Sequence, residues 1–315
     1  MKNSSTDDPD NSAANFPIQP DLFVADNHVH DWPAKDDLGS MEYPLFSLSK
    51  KPDLRIREYS RGANTVKVIP SVQGAANVFD KDIIIYAISR LVQASNMGAK
   101  VSRRIRIDTH TFLLATQRST GGASYERIIA ACRRLKGTVI ETNVRTTDSE
   151  KTKGFSMIDE YEITRSTKNA KGALEVEVTI SDWLYRQVLA YDVLTLSPEY
   201  FRLGQAIERR LYELARKHAG DKAIWKINIP LLQDKCGSRQ ARKFFLNDLR
   251  KIVREDALPD YRLLIDDSTS VLQAVFLTRD SKKLLFELNR GNLMQWFNEL
   301  QKSNAAKPKK VASPE

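Results

Sequence analysis

The alternation of apolar and charged side chains between residues 238 and 254 predicts a helix with two opposite faces. The segment reads SRQARKFFLNDLRKIVR, and at about 100° per residue Leu249 and Ile252 fall beside Phe245 on an apolar stripe. The opposite side collects cations around Asn247, namely Arg239, Lys243, Arg250 and Arg254. Such a helix fits an anion and has about the width of the DNA major groove. An ordinary solvated basic face is the alternative interpretation.

The same order of predicted elements occurs twice along the chain. Helical periodicity, strand alternation and glycine turns predict a helix, a strand, two helices around a tight turn, and two closing strands. The first copy covers residues 80–96, 102–107, 109–116, 124–137, 138–144 and 155–163. The second covers residues 205–218, 223–229, 230–236, 238–254, 261–265 and 271–277. This is the element order of a winged helix, in which the second helix of the helix–turn–helix enters the major groove.

The predicted fold class is therefore α+β, with two tandem winged-helix domains between a flexible leader and a basic tail. Residues 1–40 are rich in Asp, Asn, Ser and Pro and are predicted to form the flexible leader. The first domain, with DNA binding and dimerisation, is placed at 41–195, and the second, with the main DNA-binding helix, at 196–290. Residues 291–315 are predicted to be the end of a terminal helix and a disordered tail.

Composition narrows the class of partner. The chain has 315 residues, of which 41% are hydrophobic, and a formal net charge of +9. A basic excess of this size indicates an anionic partner, and nucleic acid is the commonest one for a soluble chain. No apolar run approaches the ~20 residues of a membrane span, and residues 1–16 lack the apolar stretch of a signal peptide. We therefore expect no membrane partner and a location in the cytoplasm, with Cys132 and Cys236 as buried apolar side chains.

The two helices that follow the glycine turns supply the candidate DNA contacts. In the second copy, residues of the first two turns are expected to read bases, and later cations are expected to hold phosphates. Ser124 and Ser238 are predicted N-caps, where backbone amides receive a phosphate. The lysines near the first hairpin tip are predicted wing contacts, although a solvated loop lysine is the alternative for Lys151. The full predicted set is Ser124, Tyr125, Arg127, Arg133, Arg134, Lys151, Lys153, Ser238, Arg239, Gln240, Lys243, Asn247, Arg250 and Arg254.

One motif argues for catalysis, and its surroundings argue against it. His28-Val29-His30 has the His-hydrophobic-His pattern of endonucleases that nick DNA, in which two imidazoles on alternate strand residues hold a divalent ion. Here polar and proline-containing sequence flanks the pair, and no neighbouring strand pattern accompanies it. The chain also lacks a GxxxxGK[ST] phosphate loop and any Cys/His cluster with zinc spacing. We therefore predict a protein that is not an enzyme, with no catalytic residues, metal or cofactor.

Five segments of the chain resemble the plasmid replication initiator protein A family. The resemblance covers most of residues 41–280 and is weaker in detail over the basic helix. Its motifs are PLFSLSKKP (44–52), YERIIAACRRLKGTVIETN (125–143), FSMIDEYEI (155–163), SDWLYRQVLAYDVLTLSPEYFRLGQAIERRLYELARKHAG (181–220) and LPDYRLLID (258–266).

This resemblance implies a plasmid-encoded initiator that binds repeated double-stranded origin sites and recruits the host initiator and replicative helicase. It also implies a homodimer in equilibrium with the monomer, the dimer repressing its own gene. Dimerisation would fall to the first copy through an apolar helix, for which simple core packing is the alternative. The residues concerned are Ile84, Ile85, Ile88 and Leu91. A transcriptional regulator without origin activity is the alternative function, since the helix pattern is the same.

Overall fold

The computed structural model describes residues 33–61, 64–145, 150–165, 174–220, 222–268 and 270–289. Within these ranges the helices are α1 (Leu38–Glu42), α2 (Lys81–Asn96), α3 (Thr109–Ala115), α4 (Gly122–Gly137), α5 (Asp182–Leu189), α6 (Ala206–Ala219), α7 (Ile229–Cys236), α8 (Arg242–Glu255) and α9 (Ser281–Asn289). The strands are β1 (Lys35–Asp37), β2 (Arg57–Arg61), β3 (Asn64–Ile69), β4 (Arg104–Asp108), β5 (Val139–Arg145), β6 (Glu150–Phe155), β7 (Ile158–Arg165), β8 (Leu174–Ile180), β9 (Val193–Thr195), β10 (Ile224–Asn228), β11 (Tyr261–Asp266) and β12 (Gln273–Thr278).

The second copy follows the predicted order throughout. Helix α6 leads into β10, the pair α7 and α8 forms the helix–turn–helix, and β11 and β12 close the unit. The three strands pair antiparallel in the order β10-β12-β11. Phe245 and Leu249 of α8 are fully buried and Ile252 is 1% exposed, because their stripe packs in the same apolar core as Leu211 of α6.

The first copy departs from the prediction at its closing hairpin. Strands β5 and β6 pair with each other and belong to a separate sheet with the order β2-β3-β5-β6. The winged-helix sheet is instead β4-β8-β7, so the closing hairpin is β7–β8. Strand β8 reads LEVEVTI, and its alternate residues Leu174, Val176, Val178 and Ile180 are buried. That period-2 pattern was visible in the sequence and identifies the strand that our interpretation missed.

The predicted leader is wrong over its last residues, because residues 33–40 belong to the fold. Strand β1 pairs antiparallel with β9, and the Asp37 carboxylate caps α1 by accepting a hydrogen bond from the Ser40 amide. Ala34 and Met41 pack in the core of the second copy. These contacts bury a segment whose polar composition predicts exposure. Residues 1–32, including His28-Val29-His30, lie outside the described residues.

A cluster of buried charges joins α2 of the first copy to α6 of the second. Lys81 Nζ lies 2.6 Å from a carboxylate oxygen of Asp36 and 3.2 Å from one of Glu213. One helical position further, Asp82 accepts a 2.6 Å hydrogen bond from Arg209. All five side chains are at most 3% exposed. We call these five residues the buried ion cluster; its polar bonds tie the two helices to β1.

The pKa values within the buried ion cluster show how two carboxyl groups share one lysine. Burial raises the pKa of Asp36 to about 8, although the attraction of Lys81 opposes it. Burial also acts on Glu213, but Lys81, Arg210 and a hydrogen bond from Tyr200 together bring the pKa of Glu213 below its ordinary value. Glu213 therefore stays ionised, and Asp36 holds a proton most readily.

The four residues predicted to form a dimer surface are buried inside the chain. Ile84, Ile85 and Ile88 are 0% exposed and Leu91 is 5% exposed. Ile85 packs in the core of the second copy, and the other three pack in the core of the first. The dimerisation assignment is wrong for these residues, because both sides of α2 are already covered by the chain's own cores.

Candidate nucleic-acid interface

Helix α8 presents a continuous basic surface opposite its buried stripe. Of the predicted contacts, Lys243, Asn247, Arg250 and Arg254 are all exposed, as the helical rotation predicts. Arg242, which the sequence interpretation did not single out, is the first helical residue and is also exposed. We call these five residues the α8 basic face. It lies on the second helix of the helix–turn–helix, the position that contacts base edges in this motif.

The start of α8 differs from the prediction. Gly237 ends α7 with φ +71°, and the chain turns through residues 238–241 before α8 begins at Arg242. Ser238 is therefore not the N-cap; Ala241 occupies that position without a side-chain cap hydrogen bond. The turn between α7 and α8 is longer than the sequence interpretation assumed, and this places the N-cap at Ala241 instead of Ser238. Ser238 is half-buried in this turn.

Arg239 and Gln240 lie exposed in the turn that precedes α8, not on the helix itself. The Gln233 side-chain amide donates a 2.7 Å hydrogen bond to the Gln240 carbonyl and so holds the turn against α7. The Gln240 side-chain amide donates to Asp248 at 2.8 Å. The Gln240 side-chain amide has to break its hydrogen bond to Asp248 before it can contact a base. Arg239 is exposed in the turn.

In the first copy only part of the predicted set remains accessible. Arg127 and Arg133 of α4 are exposed, as predicted. Arg134 differs from these two, because it is half-buried and its guanidinium makes two 2.7 Å hydrogen bonds to the Asp80 carboxylate. This pairing joins residues 54 positions apart in the sequence, so helical rotation alone did not reveal it.

The start of α4 also corrects the prediction. The helix begins at Gly122 with Gly121 as N-cap, so Ser124 is not the cap. Ser124 is 4% exposed, and its hydroxyl lies 3.0 Å from that of Ser119. Tyr125 is half-buried against the first core and offers only part of its side chain to a ligand.

Lys151 and Lys153 are exposed, but not on a wing. Both belong to β6, where they pair opposite Val144 and Thr142 of β5. Their hairpin is an addition between α4 and the winged-helix strands, so the assignment of these lysines to the first wing is wrong. Residues 166–173, which follow β7 and precede β8 in the sequence, lie outside the described residues.

The sheet that carries these lysines reaches the turn before α8. A Cβ atom at Gly237 would lie 2.7 Å from the Pro44 Cβ and 3.1 Å from the Tyr59 hydroxyl oxygen of β2. A groove of about 570 Å³ opens beside this contact, between the loop 47–57 and the turn 237–240. Lys50 and Arg55 line it from one side and Arg239 from the other. Cations from both halves of the chain thus border the start of α8.

Three further observations concern the described residues. No group of three or more His, Cys, Asp or Glu side chains there is arranged to hold a metal ion. Cys132 and Cys236 are buried free thiols, as predicted, and burial raises the pKa of each to about 12. None of the helices in the described ranges is long and apolar enough to cross a membrane.

The family model described as replication initiator protein A matches residues 35–263. The chain belongs to this family. The match begins at the first residue of β1 and ends within β11, so it includes the segment 35–40 that the sequence interpretation assigned to the leader. A relative from Wigglesworthia glossinidia brevipalpis, described as "Putative replication protein", is 38% identical over 245 residues, which are 77% of this chain and 88% of the relative.

Solved structures agree with the architecture of this replication initiator. A crystal structure of domains 2 and 3 of RctB has a TM-score of 0.59 at 12% identity and covers 80% of this chain and 98% of that one. A second structure of RctB domains 2–3 has a TM-score of 0.54 at 12% identity, covering 78% and 99%. At this identity the likeness concerns the fold. The predicted family and the predicted fold class, α+β with tandem winged helices, are confirmed.

Proposed function

We propose that this replication initiator binds double-stranded origin DNA sequence-specifically, with α8 in the major groove and α4 in a nearby groove segment. The α8 basic face carries the proposal, because four exposed polar side chains lie opposite a buried stripe on the second helix of a helix–turn–helix, and exposed Arg242 flanks that stripe at the start of the helix. Arginine and asparagine at such positions bond guanine and adenine bidentately, and the remaining cations neutralise phosphates.

The proposal includes the steps that the family assignment suggests. The initiator would bind repeated sites at a plasmid origin, recruit the host initiator and replicative helicase, and repress its own gene, without catalysis of its own. A transcriptional regulator without origin activity would use the same face. Supplying this gene and the neighbouring repeats to a plasmid that lacks a replicon separates the two, because only an initiator maintains the plasmid.

A footprint on the DNA that flanks the gene tests the binding mode. Two winged helices that contact one duplex should protect segments separated by about one helical turn, 10–10.5 bp, or a multiple of it. Protection of a single short segment would show that one module binds alone. A complete lack of protection along the flanking DNA would contradict the proposal.

Base contacts are tested at Arg239 and Lys243. Each change to alanine should reduce discrimination between the cognate duplex and random DNA by on the order of 1–3 kcal/mol per lost base contact. The measurement is a titration of both duplexes by fluorescence anisotropy at one salt concentration. Lys100→Ala removes an equal charge from an exposed site in the first copy and serves as the control. Unchanged discrimination in both variants would exclude base reading by these residues.

Phosphate contact is tested at Arg254, in the last turn of α8. Arg254→Ala should weaken cognate and random binding alike and lower the slope of log affinity against log salt by about 0.9, the value for one phosphate contact. The affinities for both duplexes are measured at salt concentrations from about 50 to about 200 mM. An unchanged slope, or a loss confined to the cognate duplex, would show that Arg254 does not hold a phosphate.

A further inference from the structure

A half-exposed aromatic ring stands next to Lys243 of the α8 basic face. Phe244 is 53% exposed, while its neighbour Phe245 is fully buried. Phe245, Leu249 and Ile252 complete the apolar stripe, so the core does not require a second phenylalanine here. Phe244 is the third helical residue of α8 and lies in its first turn.

The surroundings of Phe244 restrict what its ring can contact. The Lys243 ammonium lies 4.9 Å from the ring centroid, and Lys243 is itself exposed. An apolar protein surface that covered the ring would also have to remove water from this ammonium, which is costly without an anionic partner. The fitting ligand is therefore a polyanion that offers a small apolar group between its charges.

The DNA major groove has this combination of groups. Thymine places its C5-methyl group there, between phosphate backbones, and phenylalanine is one of the side chains that contact it. The first turn of the second helix is the part that reaches the base edges in this motif. Asn247 lies three residues after Phe244 on the adjacent helix surface, within reach of a neighbouring base, and asparagine pairs bidentately with adenine.

We propose that Phe244 reads the C5-methyl group of a thymine in the recognition site, beside an A·T pair read by Asn247. This inference rests on the proposed function, since it requires α8 in the major groove. It adds a determinant of sequence specificity that electrostatic reasoning does not provide, because a methyl group carries no charge.

Replacing thymine with uracil in the binding site tests the proposal, because this change removes only the methyl group. A duplex is first selected from a random pool with the full chain, and each thymine is then replaced in turn. Wild-type protein should lose about fourfold in affinity at one thymine, the equivalent of one buried methyl group. Phe244→Ala should bind the thymine duplex more weakly than wild type and show no further loss on the uracil duplex.

Leu231→Ala is the matched control, since Leu231 of α7 is another exposed apolar side chain of the same module, at 42%. It should keep the full response to uracil. The inference is overturned if wild type binds every uracil duplex as tightly as the thymine duplex, or if Phe244→Ala remains as sensitive to uracil as wild type. Failure of the selection to enrich any sequence would overturn the proposed function as well, so the two failures are distinguishable.

Discussion

Replacing Lys81 with methionine should lower the free energy of unfolding by about 3–5 kcal/mol, the usual cost of removing one partner of a buried ion pair. Lys81 is fully buried, with its ammonium 2.6 Å from Asp36 and 3.2 Å from Glu213. Methionine fills a similar volume but leaves both carboxyl groups without their shared cation. Glu213 keeps Arg210 as a partner, so the larger loss falls on Asp36.

The effect is measured by urea unfolding followed by circular dichroism. Lys100→Met, which changes an exposed lysine in the same way, should shift stability by no more than about 0.5 kcal/mol. Adding Asp36→Asn to Lys81→Met should recover part of the loss at pH 8, because it removes the buried carboxyl group whose ionised form only Lys81 stabilised. A loss below about 1 kcal/mol for Lys81→Met would show that the buried ion cluster does not contribute as an ion pair.

The sign of the pH dependence provides an internal check on this variant. Burial raises the pKa of Asp36 to about 8 even with Lys81 present, and removing the lysine leaves that rise unopposed. A carboxyl group with a raised folded-state pKa binds a proton on folding, so its contribution to stability is lost as pH rises toward that pKa. The deficit of Lys81→Met should therefore be smaller at pH 5 than at pH 8, and the reverse order would contradict the assignment.

The sequence predicted the parts of the fold that depend on local pattern. The apolar stripe of α8 could be predicted from the helical period alone, and strands β11 and β12 could be predicted from the alternation of apolar and polar residues alone. The exposed cations of α8 followed from the same rotation. Local pattern was sufficient here because the second copy is a winged helix without added strands.

The errors came from contacts between distant parts of the chain. The polar composition of residues 33–40 predicts exposure, yet Asp36 is buried, where its carboxyl group accepts a hydrogen bond from Lys81, 45 positions later. The hairpin β5–β6 interrupts the first winged helix, so counting two strands after α4 selected the wrong hairpin. The caps at Ser124 and Ser238 failed because turn length depends on how the preceding helix ends, which residue type alone does not determine.

Gly237→Ala should lower the free energy of unfolding by about 2–5 kcal/mol, because two costs add at this position. The residue has φ +71°, which an alanine adopts at a cost of about 1–2 kcal/mol. Its Cβ would also lie 2.7 Å from the Pro44 Cβ, and Pro44 belongs to a loop whose backbone Arg57 anchors through a hydrogen bond to the Pro44 carbonyl. The Pro44 Cβ belongs to a rigid ring and is not the far end of a flexible side chain.

Gly98→Ala separates these two costs. Gly98 has nearly the same φ, +69°, with nothing within 4 Å of the added Cβ, so it should lose only the conformational part, about 1–2 kcal/mol. Urea unfolding of both variants gives the difference, which we expect to be about 1–3 kcal/mol and to measure the contact between the two halves of the chain. Equal losses would show that Pro44 and Tyr59 move aside freely.

The same pair of variants connects this contact to DNA binding. Moving the turn at Gly237 displaces Arg239 and the start of α8, so Gly237→Ala should lose discrimination between cognate and random duplexes at a temperature where it is still folded. Gly98→Ala should retain it, since Gly98 follows α2 in the first copy. If folded Gly237→Ala discriminates as wild type does, the position of the turn does not govern base reading, and the determinants lie further along α8.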